Sequence, residues 1–140
     1  MNVINQTKQT ILAKKFKVAR NFMERFRGLI GSPPLEEGEG FLIPSCQGIH
    51  TFGMSYPIDA LYLNQTGEVI SVVKSLFPNS IGVVNFRAHS VLELPSGTIE
   101  FTHTEVGDLV SIPDFPFSSP TPLSSREDSS FANPIFGTAA

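Results

Sequence analysis

Apolar residues in this chain come in short runs, and a breaker closes each one. F-L-I ends at Pro44, I-D-A-L-Y-L-N runs into the turn that holds Gly67, and S-V-L-E-L stops at Pro95. Eleven glycines and eleven prolines in 140 residues favour many short elements joined by turns over a few long helices. The composition is 41% hydrophobic, with twelve Phe and no Trp. A chain of this size buries a phenylalanine-based core in one domain without disulfides or metal. The sequence therefore predicts a mainly β fold, a compact single domain of sandwich or barrel-like form with one short N-terminal helix.

Along the chain, residues 1–9 are polar and read as a flexible, frayed N-terminus. Ile11 to Val18 alternates imperfectly, and its lysines suit a strand at a sheet edge. Asn21 is placed to cap a short helix that Gly31 ends. A breaker-rich acidic loop leads to a strand at Phe41–Ile43. A turn follows, and Ile49–Met54 reads as extended, with His50, Phe52 and Met54 on one face. Ile58–Leu63 and Glu68–Val73 form a hairpin around N-Q-T-G. Lys74–Arg87 reads as a long loop with a weak strand at Val83–Phe86. His89–Leu94 is a strand, Thr98–Thr104 is ambiguous but β-prone, and V-G-D-L-V-S-I turns into a last strand. The domain body is thus expected over residues 10–112. Residues 113–140 carry five of the eleven prolines and no apolar periodicity, which predicts a Pro/Ser-rich tail, disordered or loosely docked. Phe115, Phe117 and Phe136 are its candidate anchors.

The formal charge of −3 hides an asymmetry, because seven of the ten Lys and Arg lie between Lys8 and Arg27. That is either a basic face for a partner or a solvated surface, and it matches no nucleic-acid motif. A single cysteine, Cys46, forms no intramolecular disulfide and suits a reducing compartment. No signal peptide is visible and no apolar run approaches the ~20 residues of a membrane span. The expectation is a cytoplasmic protein, a monomer without cofactor.

Polar side chains inside apolar runs are the candidate site, since a buried polar atom is either paired or functional. Cys46 and His50 are a nucleophile and base, two metal ligands, or packing residues. Extended chain puts them about 13 Å apart, and no zinc spacing supports a metal site. Asp59 fixes the turn into its strand or serves as a general base. Glu93, in the middle of V-L-E-L, needs a partner, for which Arg25 or Arg27 is the nearest source, or a solvent-filled pocket.

Several motifs stand in a fixed order: R-x-x-G-L-I-G from Arg25, G-E-G-F-L-I-P-S-C, I-H-T-F-G-M, P-I-D-A-L-Y-L-N-x-x-G-x-V, S-V-L-E-L-P-S-G-T and V-G-D-L-V. On these the chain resembles the DUF192 family of small bacterial and archaeal proteins, over roughly residues 10–112. The resemblance implies a compact, predominantly β fold and assigns no catalytic residue, cofactor or substrate. It also implies a short helical turn after S-G-T, where I-E-F-T-H-T is locally β-prone.

Three functions follow from these residues. The first is a binding module for a polar small molecule or peptide, its pocket lined by His50, Met54, Asp59, Glu93 and Arg25. The second is an enzyme using His50 with Asp59 or Glu93 in acid/base chemistry. The third is an interaction module using the basic N-terminal face and the tail. The first fits best, because no nucleophile, metal or nucleotide motif is recognisable.

Overall fold

The computed structural model describes residues 1–21, 23–24 and 28–118. Its strands are β1 (Val3–Asn5), β2 (Thr10–Ala13), β3 (Lys15–Val18), β4 (Glu39–Pro44), β5 (Ile58–Leu63), β6 (Val69–Leu76), β7 (Ser90–Pro95) and β8 (Val110–Ser111). They form two sheets, one in the order β2-β1-β8 and one in the order β3-β4-β7-β5-β6. All pairings are antiparallel except β3 with β4. The fold is mainly β, but it is not a closed barrel: β3 and β6 end the larger sheet at opposite edges.

One strand expected over Ile11–Val18 is in fact two. The chain leaves the small sheet at Ala13 and enters the large one at Lys15, and the carbonyl of Gly38 accepts both Lys14 N–H (2.7 Å) and Lys15 N–H (3.0 Å) at this corner. The first residues are not frayed, because Val3–Asn5 is the central strand of the small sheet. Ile49–Met54 and Val83–Phe86 are loops, not strands; the first bonds to Asn79, Ser80 and Gly82, and the second to Gln47 through Asn85 N–H.

The longest helical run among the described residues is α1, Thr98–Thr102, and it is not N-terminal. Of the helix expected from Asn21, Met23 and Glu24 are helical and Asn21 Oδ1 accepts the Glu24 N–H (2.9 Å), while residues 22 and 25–27 lie outside those described. Local propensity favoured a strand at Thr98–Thr102, but a distant carboxylate decides otherwise. Asp59 on β5 accepts the N–H groups of Gly97 (3.1 Å) and Ile99 (2.8 Å), supplying the acceptor that the start of a helix requires.

The large sheet is buried on both faces, which is why β5 is buried at every position and reads as a continuous apolar run. Leu42, Leu61, Leu63, Leu92 and Leu94 point to the first core, shared with Val3, Leu12, Val110 and Ile112 of the small-sheet side. Ile43, Ile58, Ala60, Tyr62 and Val91 point to the second, closed by loop residues Leu29, Ile49, Met54 and Ala88. Phe115 and Phe117 pack on the first core, so the segment after Pro113 begins docked.

Candidate functional site

Strand alternation puts Glu93 on the same face as Val91, in the second core. A row of residues crosses five strands there: Lys17 beside Phe41, Phe41 beside Glu93, Glu93 beside Ala60, Ala60 beside Val73. Glu93 is the acid in that row and is 2% exposed. Its Oε2 is buried and has no hydrogen-bond partner among the described residues. Burial pushes its carboxyl up to about 8, because a charge in an apolar surrounding is penalised. Burial thus favours the protonated form of this acid.

Loops supply the cover. A Cβ on Gly28 would lie 3.9 Å from Glu93 Oε1, and Gly28 has φ +54°. The turn thus passes close above the carboxyl in a conformation that favours glycine. The hydroxyl of Tyr56 donates to the carbonyl of Pro33 (3.2 Å), tying two covering loops together. Burial and the nearby Glu93 carboxyl push the Tyr56 phenol up. Tyr62, two residues along from Ala60, is fully buried; its hydroxyl donates to the carbonyl of Val83, and burial raises its phenol to about 12. The thiol of Cys46 donates to the carbonyl of Gly48 (3.0 Å).

Phe41, the β4 residue paired with Glu93, lines a groove of about 640 Å³ together with Lys17, Leu29, Pro33 and Leu35. A larger groove of about 990 Å³ runs between β2 and α1. Its titratable lining is Lys14 and Glu37, both exposed, so the smaller groove is the one next to unusual chemistry.

The sequence-derived residues do not all gather here. Glu93 and Met54 share the second core. His50 is half-buried, bridged to Ile81, with its ring 5.4 Å from that of Phe52. Asp59 lies on the opposite face of the sheet and accepts three backbone N–H groups, from Ser75 (2.8 Å), Gly97 and Ile99. Arg25 and Arg27 lie outside the described residues. Among the described residues no group of three His, Cys, Asp or Glu could hold a metal ion. Tyr62 was missed: it shares parity with Ala60, but only the register of β5 with β7 sets that face beside Glu93. Gly28 and Tyr56 come from loops; Gly28 stands in the R-x-x-G-L-I-G motif, and Tyr56 had no sequence signal.

A two-sheet, mainly β protein with a buried acid under a loop cover is the class these features define. The chain belongs to the DUF192 family, described as Uncharacterized ACR, whose model matches residues 3–112. The matched region begins with β1 and ends with the residue after β8. A UPF0127 protein of Thermococcus sibiricus is 33% identical over 110 residues, covering 76% of this chain and 71% of that one. A UPF0127 protein of Thermococcus kodakarensis is 30% identical over 113 residues, covering 78% and 71%. The crystal structure of a protein of unknown function from Novosphingobium aromaticivorans superposes with a TM-score of 0.68 at 18% identity, covering 79% of this chain and 82% of that one. That likeness concerns the fold. No helix among the described residues is long and apolar enough to cross a membrane.

Proposed function

We propose that this protein is a small binding module, and that its ligand is a polar small molecule or peptide that reaches the Glu93 carboxyl from the adjacent groove. The observation that carries this reading is the Oε2 of Glu93, buried and without a partner among the described residues. A buried polar atom left unmet costs about 1–3 kcal/mol, and a leucine of similar volume would avoid that cost. A ligand that meets the carboxyl recovers it. A protonated acid donates through its O–H and accepts through its C=O, which matches an amide group in one plane. The groove beside Phe41 supplies apolar contact area, and its lining carries charges of both signs, Lys15 and Lys17 with Glu36 and Glu39.

The test is a thermal-shift screen of carboxamides, amines and short peptides at neutral pH, on the parent and on Glu93→Leu. Hits that stabilise the parent and lose their effect in Glu93→Leu agree with this reading. Hits that stabilise both chains alike, or no hit from any of these classes, count against it.

A further inference from the structure

The loops at 47–53 and 79–86 run side by side as a ribbon. Thr51 N–H donates to the Ser80 carbonyl (2.8 Å), Gly82 N–H to that of Ile49 (2.9 Å) and Asn85 N–H to that of Gln47 (2.9 Å). The Asn85 amide also donates to Ser71 Oγ (3.0 Å), which seats the ribbon against β6. Large apolar side chains stand out here: Phe77 is 71% exposed, Ile81 69% and Phe86 81%. Isolated exposed hydrophobics need no explanation, but three such side chains within residues 77–86 do.

Beside the ribbon, β6 ends the large sheet. Val69 N–H is satisfied by the Asp108 carbonyl, but beyond it no described strand pairs with the outer edge of β6. An open edge is a template for another extended chain. The two stretches of sequence that build this surface are also short of acids. The sequence has no Asp or Glu between Glu68 and Glu93, nor between Pro44 and Ile58, in a chain of net charge −3. Lys74 on β6 and Arg87 after the ribbon are both exposed.

We propose that the outer edge of β6 and the ribbon beside it bind an extended acidic segment of a partner protein, which adds as a strand and rests apolar side chains on Phe77 and Phe86. This surface is distinct from the Glu93 site. Strand addition gives affinity through main-chain hydrogen bonds and specificity through alternate side chains. A lysine on an edge strand normally discourages pairing; here it selects the sign of the partner. A second copy of this chain would set cation against cation. An anionic lipid surface would gain only about 1 kcal/mol from each of the two cations and leave the edge N–H and C=O groups unmet in the acyl layer. An acidic strand meets both demands.

The test uses a fluorescein-labelled synthetic peptide that alternates Asp with Val and Phe, and a second with Lys in place of Asp. Anisotropy should show the acidic peptide binding at least about tenfold more tightly, with amide shifts concentrated in Ile70–Phe77. Lys74→Glu with Arg87→Glu should reverse the preference. Phe77→Ser with Phe86→Ser should abolish binding without moving the thermal midpoint, since both side chains are exposed. Equal binding of the two peptides, no binding of the acidic one, or shifts elsewhere would overturn the proposal. So would concentration-dependent self-association through these residues, or their binding to vesicles with about one-third phosphatidylserine in place of the peptide.

Discussion

Asp59 and Glu93 stand on neighbouring strands of one sheet, 0% and 2% exposed, and they face opposite ways. Asp59 looks into the first core and accepts three backbone N–H groups, joining β5 to β6 and to the start of α1. Glu93 looks into the second core, where its Oε2 meets nothing among the described residues. Burial alone therefore says little about a carboxylate. What distinguishes the two is whether the surrounding fold completes its hydrogen bonds, and only the incomplete one is a candidate for a ligand.

The sharpest way to test that contrast is to remove each acid. Asp59→Ala leaves three backbone donors without their acceptor and should cost about 3–5 kcal/mol by urea denaturation, with amide exchange fastest at Gly97 and Ile99. A loss below about 1 kcal/mol would mean water takes over the same bonds.

Glu93 should behave in the opposite sense. Its carboxyl keeps a proton up to about pH 8, against 4.5 for the free side chain. Above 4.5 the unfolded chain loses that proton and the folded chain retains it. Stability from this group is thus complete below about pH 4.5, falls as pH rises towards 8, and is flat beyond, by a few kcal/mol in order of magnitude. Glu93→Gln should remove this slope and exceed the parent in stability at pH 8. If Arg25 or Arg27 meets the carboxylate, the parent shows no such slope and Glu93→Gln is destabilising, because it leaves a cation without its partner.

Smaller effects separate the two faces further. Phe115 stands edge-on to His89 (centroids 6.4 Å) and to Phe117 (4.8 Å) over the first core. Truncation after Ile112 should therefore cost about 1–3 kcal/mol, and truncation after Ser118 far less. Equal midpoints for the two truncations would show that Phe115 and Phe117 add nothing.

The smallest expected effect is at Lys8, which reaches Asp108 (2.8 Å) and the exposed Glu105 (3.1 Å). Burial pushes the Asp108 carboxyl up, but bonds from Asn5, Lys8 and the Glu105 backbone outweigh it and hold it below the usual value. Its contribution is present at neutral pH and lost as pH falls through that lowered value, the reverse of Glu93. Lys8→Ala should leave the midpoint almost unchanged in physiological salt, since Asn5 and the Glu105 N–H still serve Asp108. A large drop would make Lys8 the principal partner.

Much of the fold was legible because strand patterns and turn chemistry are local. I-D-A-L-Y-L-N-Q-T-G folds as the hairpin its residues predict, with Asn64 Oδ1 accepting the N–H groups of Thr66 and Glu68 inside the turn. The parity of V-L-E-L placed Glu93 opposite Leu92 and Leu94, and it marked Glu93 as an acid in need of an explanation. The family motifs read from the sequence identify the family whose model matches residues 3–112.

What the sequence alone determined, then, is what depends on near neighbours: short strands, their turns, the faces of each strand and the odd acid among them. Tertiary structure decided whatever depends on a partner far along the chain. It split Ile11–Val18 at the Gly38 carbonyl, drew Val3–Asn5 into a sheet beside β8, and made Thr98–Thr102 helical through Asp59. It also set Asp59 and Glu93 on opposite faces of one sheet, one satisfied and one not. Local propensities differ by about 1 kcal/mol or less per residue, and a single buried carboxylate bonded to backbone N–H groups outweighs them.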